Sequence, residues 1–523
     1  MLLRCAKIQF AAGRHERMFK KILIANRGEI AVRIARACRE MGIAAVAVFS
    51  DADRAALHVR LSDEAYRAGP APSRESYLRI DKLMEIARAA GCDALHPGYG
   101  FLAENPELAR ACAVNQITFI GPSPEAMERL GSKTAARKLA ARAGVPMVAG
   151  TQYPIENLDD ATKIANGLGY PVLLKAVAGG GGKGMRMVPA PAEMAAAWRD
   201  ASSEALNAFG DARVYLEKYV DRPRHIEIQI FGDAHGHMVY LGERECSVQR
   251  RHQKVIEESP SPVMTQELRR SMGEAAVRLA RDAGYNNAGT VEFLVDAQRN
   301  FYFLEVNTRL QVEHPVTEMV TGLDLVKLQI RAAAGEPLPF SQEDIRLSGH
   351  AVECRLYAED PANQFFPSPG KILSRRVPSG PGIRLDDGVY EGFTVATEYD
   401  PMLGKLIAWG QDRTEAIARL DRALQEHVVT GIKTNTALLL GILRDADFLR
   451  GDIFTRWLDE KLPRLLAKNQ NEEIEREVED AAIVAALLHS LGAKDHPDAN
   501  GAAAEAESRW KRAARFEQTE RSS

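Results

Sequence analysis

Between Glu305 and Glu313 every odd position carries a group able to bind a metal ion or an anion: Glu305, Asn307, Arg309, Gln311 and Glu313. The even positions are apolar or methyl-bearing: Val306, Thr308, Leu310 and Val312. A strand sends alternate side chains to opposite faces, so this spacing offers carboxylate, amide and guanidinium to one side and a core-facing surface to the other. A fully extended run would hold Glu305 and Glu313 roughly 26 Å apart, too far to share one small substrate. The reading is therefore a strand ending near Asn307, followed by a turn that folds Arg309, Gln311 and Glu313 back over a site. A solvated edge strand shows the same alternation. Against it stands Glu292, in Gly289-Thr290-Val291-Glu292-Phe293-Leu294, which supplies a further carboxylate from the expected antiparallel neighbour. Two or three hard oxygen donors on paired strands suit Mg²⁺ held jointly with a phosphate.

Phosphate-binding groups occur upstream. The strand-like Tyr170–Val177 runs into Ala178-Gly179-Gly180-Gly181-Gly182-Lys183-Gly184. Four consecutive glycines carry a large ordering cost, so the loop is expected to be mobile until it is bound. It reads either as a flexible hairpin or as a lid whose bare amides close over phosphate oxygens. A Walker A loop is excluded, because Gly184 follows Lys183 where Ser or Thr should reach the metal. Glu245 to Lys254 is read as strand and turn with Arg250, Arg251, His252 and Lys254 close together, as an anion pocket or a basic surface loop would require.

The elements that must position these groups begin with a βαβ opening: a buried strand at 21–26, an amphipathic helix from Glu29 to Met41 closed by Gly42, and a strand at 44–49. The turn Asn26-Arg27-Gly28-Glu29 lacks Gly-x-Gly-x-x-Gly, so dinucleotide binding is not expected. A second polar turn, His96-Pro97-Gly98-Tyr99-Gly100-Phe101, follows another strand, and such turns commonly face a ligand. A connecting helix is expected from Ser132 to Ala143. Arg355 stands on an alternating strand, Ala351–Leu356, where a salt-bridge role is the ordinary reading. The last expected element is a charged helix from Asn471 to Leu491.

At 523 residues the chain calls for three or four domains, and its net charge of −3 gives no whole-chain reason for a nucleic-acid or anionic-membrane partner. No run of about 18 apolar residues occurs, so a membrane span is not expected. The six cysteines lack a Cys-x-x-Cys spacing and fit a reducing cytoplasm. Residues 1–17 are basic and read as a weak transit segment or as residues upstream of a start at Met18.

Taken together, Ile24-Ala25-Asn26-Arg27-Gly28-Glu29-Ile30-Ala31, His96–Leu102, the glycine lid, Arg250–Lys254 and Glu305–Pro315 resemble the biotin carboxylase component of biotin-dependent carboxylases, a branch of the ATP-grasp superfamily. The resemblance covers Met18 to about Leu462. It implies a multi-domain α/β chain: an extension (1–17), a Rossmann-like parallel α/β domain (18–131), an ATP-grasp domain (132–349) with a lid at about 147–220, an α+β C-terminal domain (350–463) and a charged tail (464–523).

It also implies that Lys133, Lys175, Gly181, Gly182, Glu217, Lys218, Val220, His225, Gln249, His252, Glu292 and Glu305 bind ATP. Glu292, Glu305 and Asn307 would hold Mg²⁺ or Mn²⁺. Lys254, Arg309, Gln311, the Val312 amide and Glu313 would take bicarbonate, with Glu313 as general base and Arg355 against biotin. The expected reaction is ATP-dependent carboxylation of biotin through carboxyphosphate. No Ala/Val-Met-Lys-Met sequence occurs, so the biotin is expected on a separate carrier protein. A carboxyltransferase partner would pass the carboxyl to acetyl-CoA, another acyl-CoA or pyruvate, and the resemblance implies a homodimer. Another ATP-grasp ligase and a silent nucleotide-sensing scaffold are the competing readings.

Overall fold

The structure is a computed structural model that describes residues 18–151, 153–177, 184–467, 482–484 and 486–487. The glycines of the lid, the side chain of Lys133 and most of the expected helix 471–491 lie outside the described residues; 482–484 and 486–487 are helical.

The strands β1 (Lys21–Ile24), β2 (Ala44–Ser50), β3 (Glu64–Gly69), β4 (Ala94–His96) and β5 (Thr118–Phe119) form a parallel sheet in the order β3-β2-β1-β4-β5. Continuous apolar runs such as Ile22-Leu23-Ile24 suit strands covered on both faces. Helix α1 (Gly28–Glu40) starts directly after β1, with Gly28 at φ +65°. Strand order reverses between β1 and β4, and a parallel α/β sheet opens a crevice at that switch point. The turns at 25–28 and 97–100 meet there, where Asn26 Nδ2 donates to the carbonyls of Pro97 and Tyr99 at 2.7 Å each.

A small antiparallel sheet, β7-β6-β8, follows: β6 (Val172–Ala176), β7 (Arg186–Val188) and β8 (Val214–Lys218), accompanied by helices Leu158–Leu168 and Met194–Phe209. The largest sheet has eight strands: β9 (Arg224–Gly232), β10 (Met238–Arg250), β11 (Gln253–Ser259), β12 (Asn287–Val295), β13 (Phe301–Asn307), β14 (His350–Tyr357), Met402–Gly410 and Ile383–Asp387. Their order is β13-β12-β9-β10-β11-β14, then Met402–Gly410 and Ile383–Asp387, with antiparallel neighbours throughout. The sheet thus runs without a break from the strands that carry Glu292 and Glu305 to the one that carries Arg355.

Candidate active site

Strand β13 does end at Asn307, and it lies on the sheet edge. Its polar side chains nevertheless line a cavity, and Glu305 is the direct cross-strand partner of Glu292. Glu292 in turn faces Glu227 on β9, and Glu227 faces Arg244 on β10. Farther along the sheet, Glu257 faces Glu353, and Arg355 faces Lys405, which faces Asp386. Ionisable side chains therefore recur on strand after strand in the middle of the largest sheet.

Their pairing lowers the large cost of burying charge. Lys254 Nζ donates to Glu227 at 2.6 Å, to Glu292 at 3.0 Å and to Glu313. Arg355 donates to Glu257 at 2.6 Å and to Glu313 Oε2 at 2.8 Å. Arg244, wholly buried, is shared by Glu227, Gln229, Thr290 and Thr317. Burial alone would raise the Glu313 carboxyl, but Lys254, Arg355 and Arg244 outweigh it and hold it well below the usual carboxylate range. Burial would likewise raise Glu292, which Lys254 and His225 hold low. His225 Nε2 lies 3.0 Å from Glu292, and this carboxylate outweighs burial and raises the imidazole.

Beyond β13 the chain turns as expected. Glu104, from the parallel-sheet region, clamps the turn by accepting from the Thr308 amide at 2.9 Å and Arg309 Nε at 3.1 Å. Arg309 folds over Asn307 and Gln311, donating at 3.3 and 3.0 Å. Glu313 then stands at the N-cap position of helix His314–Thr321, its carboxylate turned to Lys254 and Arg355, and Pro315 occupies the first turn. The helix N-terminus adds a favourable field for the Glu313 carboxylate.

Two cavities converge on this turn. One, of about 320 Å³, is lined by Lys175, His225, Gln249, His252, Lys254, Glu292, Glu305, Asn307, Gln311 and Glu313. The other, of about 450 Å³, lies at the switch point and is lined by Asn26, Arg27, Glu29, Tyr99, Phe101 and Tyr399, reaching exposed Glu398 and Asp400. Arg309, Val312 and Arg355 line both. Glu292, Glu305 and Asn307 line the first cavity with carboxylate and amide oxygens of the kind a hard divalent cation takes, and the Asn307 amide nitrogen donates to Glu292 at 2.9 Å.

Some expected residues go elsewhere. The basic run 250–254 does not act as one cluster. Arg250 stacks on Phe365 at 3.8 Å and faces Glu359, Arg251 is exposed at the tip of the β10–β11 hairpin, and of the basic residues His252 and Lys254 line the cavity, with Gln253 between them. The physical reason is backbone geometry: β10 carries register irregularities between Glu245 and Gln249, which re-aim its side chains, and Arg251 and His252 form a two-residue turn at φ +48° and +67°. Lys218 Nζ is occupied by the carbonyls of Gly169 and Tyr170, at 2.8 and 3.2 Å. Glu217 is buried between Arg137 and Lys175, the latter at 3.0 Å; burial would lower Lys175, and Glu217 outweighs it. Val220 is partly exposed beyond the end of β8.

Sequence reasoning did not single out Glu227, Arg244, Glu257, Glu104, Lys405 or Glu29 as site residues. Glu227 had a signal, since it shares with His225 the period-two face of one strand. Arg244 and Lys405 had none.

Known proteins bear on this arrangement in the same order. A profile described as "Biotin carboxylase, N-terminal domain" matches residues 18–127, "Carbamoyl-phosphate synthase L chain, ATP binding domain" matches 132–341, and "Biotin carboxylase C-terminal domain" matches 353–460. The chain is 53% identical over 466 residues to a pyruvate carboxylase subunit of Methanothermobacter thermautotrophicus, covering 88% of this chain and 94% of that one. It is 50% identical over 443 residues to biotin carboxylase 1 of Bacillus subtilis, covering 84% and 98%. Among solved structures, the biotin carboxylase domain dimer of Hydrogenobacter thermophilus 2-oxoglutarate carboxylase, in complex with MgADP, ADP and bicarbonate, superposes with a TM-score of 0.82 at 46% identity, covering 86% of this chain and 99% of that one. With the paired carboxylates, the clamped turn and the two joined cavities all in place, the chain belongs to the biotin carboxylase family.

Proposed function

We propose that the chain carboxylates biotin, using bicarbonate and ATP, as the first half-reaction of a biotin-dependent carboxylase. The observation that carries this reading is the meeting of two cavities at Arg309, Val312 and Arg355: one lined by Lys175, His225, Lys254 and the carboxylates of Glu292, Glu305 and Glu313, the other adding the rings of Tyr99, Phe101, Tyr357 and Tyr399 to its charged groups. A nucleotide and a cation occupy the first, the ureido ring of biotin the second, and bicarbonate the junction.

Lys175, His225, Gln249 and His252 line the cavity assigned to the triphosphate, and the family resemblance adds Lys133, Gly181 and Gly182 to the ATP contacts. Glu217 and Lys218, whose charged side chains are engaged elsewhere, and Val220 are assigned to the adenine edge through their backbone groups. Glu292, Glu305 and Asn307 would hold Mg²⁺ or Mn²⁺, which would supply charge neutralisation to the phosphates. Lys254, Arg309, Gln311 and the Val312 amide bind bicarbonate. Glu313 removes its proton, and the freed oxygen attacks the γ-phosphorus with loss of ADP. Carboxyphosphate breaks into CO₂ and phosphate, the phosphate takes the N1′ proton of biotin, and the ureido anion attacks CO₂ while Arg355 stabilises its oxygen.

With both oxygens tied to cations, Glu313 is a weak base. Bicarbonate draws Lys254 and biotin draws Arg355 away from it, so the carboxyl climbs toward a useful pKa only when both substrates are in place. Biotin-stimulated ADP release follows from that coupling.

The biotin arrives on a carrier protein, and a carboxyltransferase passes the carboxyl on. The acceptor is set by that partner, as relatives named for pyruvate and for 2-oxoglutarate use the same scaffold. A homodimer is proposed from the dimer described for the Hydrogenobacter protein. The cytoplasm is the proposed location, since the described cysteines are free and buried, the state that a reducing compartment maintains. The test is ADP release with Mg²⁺-ATP and bicarbonate, with and without biotin, alongside capture of labelled carboxybiotin. Biotin-stimulated release with matching label is expected; ATP binding with no stimulation and no label would overturn the reading.

A further inference from the structure

Lys405 is wholly buried in the largest sheet, more than ninety residues from the catalytic turn in sequence, yet its ammonium lies against that turn. Nζ donates to the Val312 carbonyl at 2.8 Å and sits 3.2 Å from Glu29 Oε1, with the Tyr99 ring centroid at 5.5 Å. On its own sheet Lys405 is the cross-strand partner of Arg355. One lysine thus joins the strand next to Arg355, the first turn of α1 at the switch point and the backbone between Val312 and Glu313.

The contact falls on a telling bond. The Val312 carbonyl belongs to the peptide plane that runs from Val312 Cα to Glu313 Cα, so fixing it fixes the start of Glu313 directly and restrains Val312, whose N–H lies in the preceding plane. On one side lies the Val312 amide, on the other the Glu313 side chain. Glu29 holds the lysine from the far side: it is buried, and among the described residues neither of its carboxylate oxygens accepts a hydrogen bond, leaving Lys405 as its ion-pair contact. The buried ammonium also opposes the burial-driven rise of the Glu353 carboxyl and helps to hold Asp386 low against burial, so it balances charge in this sheet as well as tying the Val312 carbonyl to Glu29.

We propose that Lys405, braced by Glu29, is a positioning residue for carboxyphosphate formation: it locks the Val312–Glu313 peptide plane so that the Val312 amide meets bicarbonate and the Glu313 carboxylate meets its proton. The assignment rests on the roles proposed above for Val312 and Glu313.

The test compares Lys405→Met, Lys405→Arg and Glu29→Gln in the full chain, reading bicarbonate KM, kcat for ADP release, ATP affinity and thermal midpoint. Lys405→Met is expected to raise the bicarbonate KM and lower kcat by about tenfold each, with ATP affinity within about twofold of wild type. Lys405→Arg, which keeps a donor, recovers most of the bicarbonate KM, and Glu29→Gln raises it by about threefold. Should Lys405→Met not fold, the other two still decide: wild-type bicarbonate KM in Glu29→Gln overturns the proposal. So does a loss of activity that tracks thermal midpoint across the series and moves ATP and bicarbonate constants together. A wild-type chain that releases no ADP with bicarbonate would instead remove the functional reading itself.

Discussion

A residue such as Glu313 shows how one carboxylate can be both a structural anchor and a reagent. Its two oxygens neutralise Lys254 and Arg355. Glu313→Gln keeps the shape and removes the charge, so bicarbonate-dependent ATP cleavage should fall below about one-thousandth of wild type while ATP binding survives. Steady-state ADP release and direct ATP titration check this, and normal turnover would remove Glu313 as the base. Arg355→Ala acts differently, leaving Glu257 and Glu313 buried without their shared cation. Breaking a buried pair in that way costs about 3–5 kcal/mol, so the unfolding midpoint should drop. Biotin carboxylation should fall much further than ATP affinity, and equal loss of both would sink the assignment to biotin.

Among the elements, those with strong local periodicity were legible in advance. The Glu305–Glu313 alternation gave the strand, its end at Asn307 and its pairing with the Glu292 strand, because period-two patterning is a local property. The two turns at the switch point were legible as loops after strands. What stayed hidden was produced by long-range pairing or by irregular backbone: Lys405 beside Val312, Glu104 on the 308–309 turn, and the β10 irregularities that take Arg250 out of the cavity. The approach of Gly388 to α1 belongs with these. A Cβ at 388 would stand 2.7 Å from the Glu29 nitrogen and 3.0 Å from the Gly28 carbonyl carbon, so only glycine lets the loop press on the helix start. Gly388→Ala should cost about 1–3 kcal/mol through overpacking and displace Glu29. The expected readout is a lower unfolding midpoint with bicarbonate KM raised and ATP affinity kept. An unchanged bicarbonate KM would show that the start of α1 tolerates the shift.

On the scale of the whole molecule, so many buried ionisable groups must be expressed in the pH dependence of stability. Burial pushes Glu29 up to about 7 from the ordinary 4.5 despite Lys405, and burial pushes Glu257 up to about 7 despite Arg355. A carboxyl whose pKa is raised on folding binds its proton more tightly in the native state. Its stability contribution is therefore complete below about pH 4.5 and is lost as pH rises through 7. Between pH 6 and 8 each such group withdraws about 1 kcal/mol. Buried histidines oppose this: burial lowers His58 and His427 to about 4 and His96 to about 3, so their contribution is present above pH 6.5 and is lost as pH falls below it. The total slope mixes both kinds of group, but the histidines and Glu257 are common to wild type and Glu29→Gln and cancel in the difference. Relative to wild type, Glu29→Gln should accordingly gain about 1 kcal/mol of stability on going from pH 6 to pH 8, read from paired denaturation midpoints at the two pH values. Parallel shifts of the two proteins would mean that Glu29 is already ionised at pH 6 and that Lys405 holds its charge more firmly than burial opposes it.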